Sequence, residues 1–392
     1  MLKSALEVFL IFLKLGFTSF GGPVAHLGFF HSEFVLKRKW YDEHSYADLV
    51  ALCQFLPGPA SSQVGMAIGL SRAGVAGAVA AWIGFTLPSA LLLVCFAFGV
   101  AALGSATSGP WLHGLKIAAV AVVAQALWAM SAKLCPDKER ATIAILATGW
   151  MALFSSVYSQ VIAIAAGAVI GWFLLRKSGE LPHKPIQSMI SRTTGAIFLS
   201  VFVLLLACLP LLAASADSHA LKLFDSFYRA GSLVFGGGHV VLPLLQAEVV
   251  PQGWVTNDAF MAGYGAAQAI PGPLFSFTAY LGAVSKVWSS GWLGALVCLV
   301  AAFLPSFLLI TGALPFWEQL RRFKHMRYAM QGINAAVVGL LISAFYNPVW
   351  TSAIRGTRDF SLALTAFVLL VFWKAPSWLV VFLSALVGGL FF

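Results

Sequence analysis

The 392 residues are 60% hydrophobic and only 10% charged, with a mean hydropathy of +0.89. Soluble domains are nearer half apolar and a quarter charged, so a water-facing globule is excluded, and 14% aromatic residues exclude a disordered chain. The net charge of +10, from 24 Lys and Arg against 14 Asp and Glu, would point to nucleic acid in a soluble protein; here it reads as the basic cytoplasmic loops of an all-α polytopic membrane protein, with no nucleic-acid partner.

Thirteen apolar segments follow in chain order. Residues 2–36, 46–70, 73–103, 111–130 and 141–175 make six, because the last is long enough for two short helices. Residues 194–214 are uncharged throughout, close to the ~20 residues that a spanning helix needs. Residues 222–250, 259–284, 291–316, 328–349, 360–373 and 375–392 complete the set, the last two short enough to pair as a helical hairpin. The first segment carries Glu7 and Lys14 and lacks a small-residue cleavage site, so it is expected to be retained rather than removed as a signal peptide. The five cysteines form no CxxC or Cys/His cluster and read as small buried hydrophobes.

The later segments repeat the earlier ones. Gly16, Phe20, Gly21 and Gly22 recur as Gly231, Phe235, Gly236 and Gly237, and Trp40 recurs as Trp254. Gln54 with Pro57-Gly58-Pro59 recurs as Gln268 with Pro271-Gly272-Pro273, Leu87-Pro88-Ser89 as Leu304-Pro305-Ser306, and Gly114, Ala118 and Val120 as Gly332, Ala336 and Val338. The chain thus divides into a first repeat (1–193), a linker helix (194–214) and a second repeat (215–392). An odd linker inverts the second copy, giving two inverted-topology repeats of about six segments each, an architecture of secondary transporters. Loop charges agree: Lys37-Arg38-Lys39 is basic while its counterpart 248–258 is not, and 104–110 is uncharged while its counterpart holds Arg321, Arg322, Lys324 and Arg327. If 2–36 and 46–70 each enter and return as broken, re-entrant hairpins, four of the 24 basic residues fall outside (Lys222, Lys286, Arg355, Arg358), three lie within segments, and the other seventeen lie inside. Simple spans fit the charges less well, and Arg355 and Arg358 stay outside either way.

The breaks carry the chemistry. Phe20-Gly21-Gly22-Pro23 and Phe235-Gly236-Gly237-Gly238 interrupt helical segments, as do both Pro-Gly-Pro triplets, because proline removes a donor and glycine reaches backbone angles that other residues avoid. Irregular backbone at membrane depth is tolerated where protein buries it or a wet cavity touches it. Each break frees the first N–H groups of a half-helix, whose positive dipole end suits an anion. Four such ends converging near the midplane would wrap a tetrahedral oxyanion; packing and kinking are the alternative use of these residues.

Lys14 and Arg229 occupy equivalent positions within segments, and each is a pathway candidate or a snorkelling cation. Lys116 pairs with Asn334 in the repeat register. His26 and His239 lie just beyond the glycine runs, where a histidine donates to an oxyanion, carries a coupled proton, or is simply hydrogen-bonded within a helix. Gln54 and Gln268 precede the Pro-Gly-Pro turns and Ser62 and Ser276 follow them; such neutral groups either line an anion site or satisfy freed backbone. No GxxxxGK[ST] motif and no acid or histidine cluster is present, which disfavours an ATP-driven pump and a membrane enzyme; no cofactor or metal is expected.

Gly21-Gly22-Pro23 with His26 and Pro57-Gly58-Pro59, repeated as Gly236-Gly237-Gly238-His239 with Pro271-Gly272-Pro273, resembles the chromate ion transporter family in its long, two-copy form. The resemblance covers essentially the whole chain. It implies a plasma-membrane carrier that exports chromate and confers resistance, with antiparallel homologous halves and with these motif residues at the substrate. Sulfate and other oxyanions, and an anion channel, are the alternatives; a homodimer and proton coupling are open.

Overall fold

The computed structural model describes residues 2–154, 157–175, 190–216, 218–235, 238–287, 290–320 and 324–391. Among them there is no strand. The helices are α1 (Leu2–Thr18), α2 (Gly22–His31), α3 (Glu43–Phe55), α4 (Ala60–Leu134), α5 (Lys138–Leu153), α6 (Val157–Leu174), α7 (Arg192–Ser215), α8 (His219–Ser232), α9 (Val241–Val249), α10 (Asn257–Ala269), α11 (Phe277–Val284), α12 (Gly291–Ala313), α13 (Trp317–Leu320), α14 (Lys324–Ala344), α15 (Thr351–Ala353), α16 (Thr357–Val371) and α17 (Ser377–Phe391). Among the described residues, five stretches are long and apolar enough to cross a membrane: Ala60–Ala102, Gly109–Leu134, Arg192–Ser215, Gly291–Phe316 and His325–Ala353.

Helix α4 is not a straight rod. Gly74 sits at φ 63, and there the chain doubles back, so that Gly69 and Gly77 lie face to face with no room for a Cβ on either. It turns again between Ala102 and Gly109: the rings of Phe96 and Trp111 are 6.1 Å apart, where fifteen residues of straight helix would separate them by about 22 Å. Its three limbs match the segments expected at 46–70 (latter part), 73–103 and 111–130. The stretch 141–175 divides into α5 and α6, as its length implied.

The segment 2–36 enters and returns. Glu7 near the start of α1 is 3.5 Å from Arg38, beyond the end of α2, and 3.6 Å from Arg72. Arg72 in turn lies over the Trp40 ring at 4.8 Å, and Tyr41 hydrogen-bonds Ser71. Both ends of both hairpins in the first half therefore meet at one basic end of the molecule. In the second half, the Lys286 amide donates to the Trp254 carbonyl at 3.2 Å, joining the positions equivalent to Arg72 and Trp40.

The two halves interlock through their terminal helices. The third limb of α4 packs on α16 and α17 of the second half, whereas its repeat counterpart α14 packs on α5 and α6 of the first. Glycine makes both contacts possible: Gly114 meets the Ser384 backbone and Gly388, and Gly332 meets Gly167 and Gly171. Helix α7 packs on α8 and α12 and turns the rest of its surface outward, with Leu211 71% exposed, as a lipid-facing helix should.

Candidate anion site

Five of the helices that begin in loops are capped by side chains. Asp42, Asp137, Ser191, Ser218 and Thr256 each accept from a backbone N–H of the following first turn, at α3, α5, α7, α8 and α10. The helices that begin at the breaks are different. The cap of α2 is Gly21 at φ 97, that of α4 is Pro59 and that of the 3-10 turn before α11 is Pro273; none supplies a side-chain acceptor, while α9 runs on directly from the 3-10 turn Gly238–Val240. The sequence thus leaves donors uncapped at three of the four places where the chain is broken.

These breaks surround one cavity of about 380 Å³. Gly21, Gly22 and Pro23 line it from the first hairpin, Gln54 and Gly58 from the second, His239 from the third, and Gln268 and Gly272 from the fourth. Asn334 of α14 joins them. Two of the polar groups have nothing to bond: Gln268 Nε2 and Asn334 Oδ1 are buried without a hydrogen-bond partner among the described residues. His239 Nδ1 lies 2.9 Å from Tyr264 Oη. With ~30 Å³ per liquid water, the cavity holds about a dozen waters, enough for a tetrahedral oxyanion with part of its hydration.

The tips that form this cavity are tied across the repeat. The Gly58 amide donates to the Val234 carbonyl at 2.6 Å, and the Gly272 amide to the Ser19 carbonyl at 3.0 Å, which are equivalent contacts. Gly58 (φ 123) packs on Ser306 and Gly272 (φ 96) on Ser89, again equivalent. The symmetry stops at the hydroxyls. Ser276 and Ser89 are hydrogen-bonded at 2.6 Å, whereas Ser62 and Ser306 are buried without partners among the described residues.

Several sequence candidates lie elsewhere. His26 is 1% exposed, hydrogen-bonded to Ser61 at 3.3 Å and edge-on to Phe85, and does not line the cavity. Ser62 and Ser276 are buried behind it, and Pro57, Pro59, Pro271 and Pro273 shape the tips without lining it. Gly238 opens the 3-10 turn that delivers His239; Gly236 and Gly237 lie outside the described residues. Lys14 is exposed on α1. Arg229 is held by Asp225 at 3.1 Å and Glu248 at 2.9 Å, so its charge is matched inside the protein. Lys116 lines a different cavity, at the end opposite Arg72.

One cation at the central cavity went unread in the sequence. Lys133 lies at its mouth, at the end of a stripe formed by Val122, Gln125, Ala126, Ala129 and Met130 on the third limb of α4. The i, i+3, i+4 spacing was visible, but which face of that helix met the breaks was not.

The fold and cavity define an integral membrane protein in which broken helices from both halves enclose a largely apolar chamber with a few converging polar groups. The chain belongs to the chromate transporter family, whose signature matches it twice, over residues 6–172 and 221–389. It is similar to the chromate transport protein of Pseudomonas aeruginosa (28% identity, over 86% of this chain and 79% of that protein). It is also similar to the chromate transport protein of Cupriavidus metallidurans (26%, over 97% and 92%) and to an uncharacterized transporter of Methanocaldococcus jannaschii (28%, over 99% and 94%). No solved structure matches it. Family membership supports chromate transport and an oxyanion substrate.

Proposed function

We propose that the chain is a secondary transporter that moves chromate, a tetrahedral dianion, out of the cell across the plasma membrane by alternating access, and so confers chromate resistance. The observation that carries this reading is the single cavity onto which three uncapped helix starts, His239 and Lys133 open. Backbone donors and positive dipole ends hold an anion without burying a fixed cation beside it, which leaves binding weak enough to release.

Sidedness supports the outward direction. Lys133 and Arg72 belong to the same end of the molecule, because the second limb of α4 runs away from Gly74 and the third limb runs back toward Lys133. That end carries Lys37, Arg38 and Lys39, and basic residues mark the cytoplasmic side. The cavity then takes its ion from the cytoplasm. Inverted repeats fit as well: the equivalent residues Lys116 and Asn334 line different cavities, one on each side of the packed middle.

The membrane potential favours export. One charge crossing 100 mV is worth ~2.3 kcal/mol, so a dianion leaving a negative interior gains ~4.6 kcal/mol. At ~1.4 kcal/mol per tenfold, that sustains about three decades of gradient without a coupled ion.

Chromate uptake into everted vesicles tests the reading, with the potential and the pH gradient collapsed separately. Saturable uptake that stops with the potential supports electrogenic export. Loss with the pH gradient alone makes proton coupling through His239 part of the cycle. Flux that does not saturate would indicate a channel, and no chromate flux with intact sulfate flux would reassign the substrate.

A further inference from the structure

A second cavity, of about 700 Å³, opens at the end opposite Arg72. Its floor is Lys116, whose side chain is 8% exposed and whose ammonium is 2.6 Å from the Asp258 carboxylate, itself 69% exposed. Its rim carries Arg355 and Arg358, both exposed, and neither is ion-paired among the described residues. The neighbouring His113–Asp359 pair, at 2.9 Å, is closed on itself: Asp359 also accepts from the Arg355 and Gly356 amides. Three permanent cations thus face two carboxylates, one of which is committed to its own helix start.

Two features are otherwise unexplained. Arg355 and Arg358 defy the rule that keeps arginines on the cytoplasmic side. Lys116 is a buried ammonium balanced by a carboxylate that gives up little by turning to water. The two cavities are also close: Lys116 and Val122, which line one each, are six residues apart on the same limb of α4, about 9 Å.

We infer that this outer cavity is a second binding site for a divalent tetrahedral oxyanion, held by Lys116, Arg355 and Arg358, in which the arriving ion takes the place of the Asp258 carboxylate on Lys116. It rests on the oxyanion reading of the central cavity and adds the station through which the ion leaves. The rim arginines supply the field that draws the dianion from the central cavity, and their exposure and hydration let it go to bulk water.

The test needs no transport. In a cysteine-free background, Thr357→Cys on the rim is labelled with a membrane-impermeant maleimide in right-side-out vesicles. Sodium sulfate is compared with sodium gluconate at equal ionic strength. Sulfate is expected to slow labelling at least threefold, and Arg358→Gln or Lys116→Gln to remove that protection, while Lys133→Gln at the other cavity leaves it intact. Equal labelling in sulfate and gluconate overturns the site. So does protection that survives in the Lys116→Gln/Arg358→Gln double variant, or that Lys133→Gln abolishes, since it would then arise at the central cavity. Chromate uptake by the same vesicles after eversion reports separately on the transport reading.

Discussion

The Gly58 amide donates to the carbonyl of Val234, 2.6 Å away and 176 residues further along the chain. The tip of a hairpin in the first half is thereby fixed to the break in the second, and Gly272 and Ser19 repeat the bond in the other sense. The tips that line the cavity are therefore held by backbone contacts between the halves, and their shape depends on glycine.

Replacing Gly58 by alanine is expected to lower chromate uptake more than tenfold at unchanged membrane content. Its φ of 123 is strained for any L side chain, and a Cβ would collide with Ser306 and sit 2.7 Å from Gln63 Nε2. Gly22→Ala, at φ 76 but with nothing within 4 Å, is expected to cost several-fold less. Vesicle uptake normalised to immunoblot compares the two; equal effects would show that strain, not the collision, governs the tip.

Lys133→Gln is expected to raise the KM for chromate several-fold with little change in maximal rate, because an exposed cation at the mouth concentrates anions without touching the bound state. The difference should fade at high ionic strength, as the Debye length falls from ~10 Å at 0.1 M to ~3 Å at 1 M. A change in maximal rate alone would contradict this placement.

His239 and His26 should separate. His239→Gln alters a group that lines the cavity and bonds Tyr264, and is expected to change transport kinetics at near-normal thermal stability. His26→Gln disturbs a residue packed on Phe85 and Ser61, and is expected to lower the melting temperature in detergent while leaving KM alone. Fluorescence-detected unfolding and uptake kinetics on both variants decide the matter.

Arg229→Ala leaves Asp225 and Glu248, each 6% exposed, without their counter-charge. Breaking a buried pair from one side costs roughly 3–5 kcal/mol, so poor insertion or folding is expected, not a selective loss of anion affinity. Normal expression with a raised KM would return Arg229 to the anion's path.

Gly332→Val fills the space in which α14 meets Gly167 and Gly171. Overpacking of this kind costs about 1–3 kcal/mol, and because the contact joins the halves it should appear as a lower melting temperature and easier proteolytic separation of the two. Gly149→Val, on a glycine with open space around its Cβ position, is the control expected to change neither.

Composition and hydrophobic runs determined the membrane class, the segment count and the places where helices break, because a bilayer demands about twenty apolar residues per span and only glycine and proline interrupt them cheaply. The internal repeat was legible for the same reason: Gly21-Gly22, Pro57-Gly58-Pro59 and their copies are local backbone requirements. Whether a side chain faces the cavity is not local. His26 and His239 read alike, yet a two-residue difference in register turns one into the core and the other to the cavity. Lys14 and Arg229 read alike, yet Arg229 is held between two carboxylates while Lys14 lies exposed on α1. Lys133 and Val122 joined the cavity only because the third limb of α4 lies against the breaks, and the terminal helices crossed to the opposite half only because glycines met glycines there. Those outcomes depend on helix rotation and on packing between distant segments, which the tertiary structure alone decides.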